Sequence, residues 1–125
     1  MECFKTFRKA PPSQLIMTLL VKNEESMLEE NLLFHKAMGV DSFIITDNNS
    51  TDSTPEIIRK YKQKGWIKEV IEEKATDYEQ KEWVDRMIWK AKTIYKADWI
   101  INADADELWY SPSGLSLIHI SEPTR

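Results

Sequence analysis

Short apolar runs alternate with longer amphipathic stretches along this chain, and that alternation limits the fold more than any other feature. Leu15–Val21, Ser42–Thr46, Trp66–Ile71 and Asp98–Ala103 have the length of strands, and the first is apolar almost throughout, as a buried strand is. Trp66–Ile71 is more mixed, which suits a strand nearer a sheet edge. The intervening segments carry helix signals. Asn23 is placed to cap a helix that opens on Glu24 and Glu25, runs through Met27, Leu28, Leu32, Phe34, Ala37 and Met38, and stops at Gly39. Ser53-Thr54-Pro55-Glu56 combines a capping box with proline in the first turn, and Ile57, Ile58 and Tyr61 give that helix a buried side up to Gly65. A longer helix is expected from Glu79 to Lys96, with Val84, Met87, Ile88, Ala91 and Tyr95 at helical spacing and Trp83, Trp89 and Ile94 widening the apolar surface. The order β-α-β-α-β-α-β predicts an α/β fold, a mostly parallel sheet with helices on both faces. Ligands of such sheets bind beyond the carboxyl ends of the strands.

At 125 residues the chain is long enough for one domain. A net charge of -4 provides no broad basic field, so nucleic acid is not an expected partner. The single cysteine, Cys3, excludes an internal disulfide framework and a cysteine-rich zinc site, and suits a reducing, cytoplasmic setting. No stretch reaches the ~20 apolar residues that span a bilayer. Residues 1–14 read as a lead-in or linker, basic at Lys5, Arg8 and Lys9 and extended by Pro11-Pro12; in a full-length protein that patch would suit the cytoplasmic face of a membrane. Residues 115–125, LSLIHISEPTR, do not continue the logic of what precedes them and read as a translated transposase sequencing adapter. On that reading the authentic sequence stops near Gly114, His119 is not a biological residue, and His35, a helix-face or core residue, is the one histidine left. Histidine-based catalysis is then not expected.

Three polar clusters fall at strand ends: Lys22-Asn23-Glu24, Asp47-Asn48-Asn49-Ser50-Thr51-Asp52, and Asp104-Ala105-Asp106-Glu107. Asp104 and Asp106, two apart on extended backbone, would point to one side, and their repulsion is relieved by a cation between or near them. A hard divalent ion, Mg2+ or Mn2+, fits oxygen ligands and shared substrate phosphates. A solvated acidic turn is the plainer reading of the same residues. The loop from Asp47 to Asp52 is rich in turn formers, yet it holds more polar side chains than a turn needs, and several could bond a base or ribose. Arg86 is a candidate for the diphosphate or a solvated helix charge, and Trp109-Tyr110 could border a sugar ring. No glycine-rich dinucleotide or P-loop motif occurs.

With these motifs in this order, residues 15–114 resemble a family-2 glycosyltransferase of the GT-A fold. The resemblance rests on Val21-Lys22-Asn23-Glu24, on Asp47 to Asp52, and on Asp98 to Glu107, whose D-A-D-E ending looks like the branch written D-A-D-E-F. It implies a donor-binding part, incomplete at its carboxyl end, that takes a nucleotide-diphosphate sugar and a divalent metal and passes the sugar to a carbohydrate or other hydroxyl acceptor, usually with inversion. By resemblance Lys22, Asn23, Glu24, Asp47, Asn48, Asn49, Ser50 and Asp52 would surround the nucleotide. Asn48 departs from the paired acids that many members have there. Asp106 would bind the metal directly, Asp104 would reach the ribose or a metal-bound water, and Arg86 would approach the diphosphate. The catalytic base belongs to a segment beyond the acidic motif. A non-catalytic binding domain and a nucleotidyltransferase remain as alternatives, although Val21 to Ser26 is not the glycine-rich basic loop of the latter.

Overall fold

The computed structural model describes residues 14–74 and 80–109. They form β1 (Leu15–Val21), α1 (Leu28–Ala37), β2 (Ser42–Asp47), α2 (Thr54–Gln63), β3 (Ile67–Glu72), α3 (Gln80–Thr93) and β4 (Trp99–Asp104). The strands make one sheet in the order β3-β2-β1-β4, with every neighbouring pair parallel. The chain steps outward from β1 to β3 and then returns to the far side of β1. This reversal places a topological switch point between β1 and β4, where open α/β sheets leave a crevice at the strands' carboxyl ends.

Alternation along the strands divides the apolar residues between two layers. Leu15, Met17, Leu19 and Val21 share a face with Phe43, Ile45, Ile101 and Ala103, and Leu28 and Leu32 of α1 with Ile58 and Tyr61 of α2 cover it. Ile16 and Ile44 point the other way, against Met87 and Ala91 of α3. A central strand covered on both faces has no use for polar positions, which is why the β1 sequence lacks a period of two. At β4 the second face is only partly covered: Asn102 and Asp104 are exposed while Ile101 and Ala103 are buried. β3 and β4 are the edges, as the mixed composition of the former predicts.

Glycine ends the first two helices as expected. Gly39 has φ 111°, with the Val40 amide donating to His35 O (3.0 Å) and the Gly39 amide to Lys36 O (3.3 Å). Gly65 has φ 84°, and the Trp66 amide donates to Tyr61 O (3.1 Å). Both are the paired closures that a left-handed residue after a helix permits.

The helix starts differ from the sequence expectations. α1 begins at Leu28 rather than Glu24, its N-cap is Met27 without a side-chain bond, and Glu24 instead opens a turn by accepting from the Met27 and Leu28 amides (3.1 and 2.9 Å). Asn23 is no cap: at φ 52° its side chain turns toward the next loop. Nor does Ser53 close a capping box: the Glu56 amide donates to the Ser53 backbone carbonyl (3.1 Å) and the Ser53 amide to Glu25 Oε1 of the preceding loop (3.2 Å), while Asp52 Oδ1 takes the Thr54 amide (2.9 Å). α3 ends at Thr93, short of the expected Lys96, and Glu79 lies outside the described residues. Among the described residues no helix is long and apolar enough to cross a membrane.

Candidate functional site

The sheet register sets the site. Val21 pairs with Asp47 and Leu20 with Asp104, so the last residues of β2 and β4 flank the end of β1. Both acids are strand-terminal, one residue later than the apolar runs suggest.

Four side chains of the first two clusters, Asn23, Asp47, Ser50 and Asp52, are bonded within or between these two loops. Asp47, 7% exposed, accepts from the Ser50 hydroxyl (2.6 Å) and amide (3.3 Å) through Oδ1. Asn23 Oδ1 accepts from the Thr51 and Asp52 amides (2.8 and 3.3 Å), while the Asn23 amide donates to Ser50 Oγ (2.9 Å). The Glu24 amide donates to Thr54 Oγ1 (2.9 Å) and the Glu25 amide to Asp52 Oδ2 (3.3 Å). These bonds lace the β1–α1 loop to the β2–α2 loop, so Asn23, Ser50 and Asp52 shape the rim instead of projecting freely from it. Lys22 and Asn49 are exposed and Asn48 half-buried. Asn48 also donates its amide to Val21 O (2.9 Å).

A cleft opens beside these loops, lined by Asp47, Asn49, Ser50, Pro55, Glu72, Glu73 and Lys74. The last three lie at the end of β3, and the sequence pattern did not single them out because β3 is an edge strand of mixed composition. Arg86 is engaged here: its Nη1 lies 3.2 Å from Glu73 Oε2, at the cleft wall.

The third cluster is a turn. The Glu107 amide donates to Asp104 O (3.0 Å), and Glu107 Oε1 accepts from the Asp104 amide (2.8 Å). Asp104 and Asp106 are both exposed, but Asp106 is not on extended backbone, so the expected same-side alternation does not apply. The strand has ended because the turn is held from beneath. Asn31 Nδ2 donates to Ala105 O and Glu107 O (2.9 Å each), and His35 Nε2 accepts from the Trp109 amide (2.8 Å). His35 is buried, as a core histidine would be; Trp109 packs against the larger core, and Tyr110 lies outside the described residues.

Charges gather at the switch point. Partial burial, then the charges of Glu107 and Asp106, raise the Asp104 carboxyl above its usual range. Glu24 is raised by burial and then by Asp106, Asp104 and Asp52. Acids from the ends of β1, β2 and β4 therefore share one field, although 80 residues separate Glu24 from Asp104 along the chain. Among the described residues no three His, Cys, Asp or Glu side chains are grouped to hold a metal by themselves. Such a donor set still fits Mg2+ or Mn2+, which binds through one or two carboxylates and fills its other positions with water and phosphate oxygens.

The sequence profile of glycosyltransferase family 92 matches residues 17–122. The chain belongs to glycosyltransferase family 92. This corrects the family-2 resemblance, which named a different glycosyltransferase family. A family 92 protein of Ricinus communis is 23% identical over 123 residues, covering 88% of this chain and 19% of the relative. The crystal structure of S. aureus TarS, residues 1–349, superposes with a TM-score of 0.64 over 86% of this chain and 31% of that one, at 17% identity. That likeness shows the fold alone. The chain thus spans about a fifth of its family 92 relative and about a third of the TarS structure.

Proposed function

We propose that this family 92 chain supplies the donor side of a sugar transfer: it binds a nucleotide-diphosphate sugar and a divalent cation, Mg2+ or Mn2+, at the carboxyl ends of β1, β2 and β4. The observation that carries this is the register that sets Asp47 and Asp104 on either side of the end of β1; the Glu24 and Asp104 carboxyls there are raised first by partial burial and then by the neighbouring acids, Asp106 among them. Like charges brought together at a switch point destabilise the apo form and are relieved by a cation.

In this reading Asp104 and Asp106 hold the cation, with Asp106 the more direct ligand. The cleft bounded by Asp47, Asn49, Ser50 and Lys74 takes the base and ribose, and the cross-tied loops keep that cleft open in the right shape. When bound, the cation stabilises negative charge on the leaving diphosphate. Arg86 reduces the charge of Glu73 at the cleft wall, so that a phosphate meets less repulsion there. The acceptor is a carbohydrate or other hydroxyl, the transfer inverts the anomeric carbon, and the base that takes the acceptor proton is not among the described residues.

Calorimetry with uridine and guanosine diphosphates, with and without Mn2+, tests the reading. Metal-dependent affinity that disappears in the Asp104→Asn/Asp106→Asn double variant supports it. Affinity that ignores both the metal and the two substitutions would mark a binding domain of another kind.

A further inference from the structure

Two buried polar side chains on α1 reach the acidic turn without being part of its chemistry. Asn31 and His35 are one helical turn apart and have no exposed surface. Their bonds run in one direction. Because His35 Nε2 accepts from the Trp109 amide, it carries no hydrogen, so Nδ1 carries it and donates to Asn31 Oδ1 at 3.0 Å. Asn31 Nδ2 then has both hydrogens for Ala105 O and Glu107 O. The two side chains thus catch backbone groups at three alternate positions, 105, 107 and 109. Burying an asparagine and a histidine in the larger core is unfavourable by desolvation, and apolar residues would serve helix packing better. What the pair adds is a fixed address for the turn.

We propose that Asn31 and His35 are positioning residues, a buried clamp that fixes the Asp104–Glu107 turn against α1 and so determines where the Asp104 and Asp106 carboxylates stand toward a divalent cation. The inference rests on the metal-binding reading above. Few protein ligands serve the cation, so a turn that drifts loses much of its affinity. Without the clamp the Ala105 carbonyl is buried and unbonded, and the turn must move outward to reach water. Outer partners that orient metal ligands typically change affinity about 10–100-fold when removed.

The test measures Mn2+ affinity by calorimetry and amide hydrogen exchange in the full 125-residue chain. His35→Phe keeps a ring but removes the acceptor for Trp109; Asn31→Leu removes both donors. Each should weaken Mn2+ binding about 10–100-fold and speed exchange of the Trp109 amide while β1 stays protected. His35→Gln, which offers an acceptor oxygen, should recover most of the affinity, and the remote Gly65→Ala should leave it unchanged. Wild-type affinity in folded His35→Phe overturns the clamp alone, whereas a wild-type chain that takes up no Mn2+ overturns the metal reading and the clamp with it. Where His35→Phe does not fold, Asn31→Leu against His35→Gln decides by the same criteria.

Discussion

Substituting Asn23 separates backbone strain from loop bonding. Its Oδ1 holds the Thr51 and Asp52 amides at 2.8 and 3.3 Å, and its φ is 52°. These amides are in the exposed rim, so water replaces the lost acceptor and only the net bond energy is at stake, about 0.5–1.5 kcal/mol each. The longer bond belongs at the low end, which makes the pair worth about 1–2 kcal/mol. Alanine adds a left-handed penalty of about 1 kcal/mol that glycine avoids. Asn23→Ala should therefore lose about 2–3 kcal/mol and Asn23→Gly roughly 1 kcal/mol less than that. With an m-value of about 1–1.5 kcal/mol/M, the alanine midpoint falls by roughly 2 M urea, followed by tryptophan fluorescence. Equal midpoints for alanine and glycine would refute the strain component. Wild-type midpoints in both would refute the cross-tie and, with it, the claim that these loops are laced into one rim.

Three further outcomes follow from other parts of the molecule. Gly65→Ala meets no atom within 4 Å, so its loss, about 1–2 kcal/mol in thermal unfolding, should come from the φ of 84° alone. Phe43, fully buried in the larger core, should cost about 3–5 kcal/mol as Phe43→Ala, read from the urea midpoint. Burial lowers the His35 pKa below 6.5, so the unfolded chain protonates first: stability is level above that value and declines as pH falls through the folded pKa. Glu24 and Asp104 are raised and act with the opposite sign, in the lower carboxylate range. Unfolding free energy measured from pH 7.5 downward should thus slope below about 6.5 in wild type and be flatter in His35→Gln.

The sheet was legible because its causes are local. Apolar runs of strand length, helices between them and glycine at positive φ are each written in a few adjacent residues, and the parallel order follows from their alternation. What the residues around Asn23, Ser53 and Asp106 do was not legible, because each faces a choice between a local partner and a distant one. Asn23 has the composition of a helix cap, yet Thr51 and Asp52 amides from the next loop win its side chain. Asp106 would alternate with Asp104 on an isolated strand, yet Asn31 and His35 bend that segment from a helix more than seventy residues away in sequence. Propensity names the residues that can serve a site, but the register of β1 against both neighbours decides which of them meet. Asn31 and His35 left no signal of their own: a buried polar pair one turn apart reads as an ordinary helix face until the backbone groups it must satisfy are in view. The residues that shape a crevice of this kind are thus better sought among buried polar side chains behind the strand ends than among further acids in front of them.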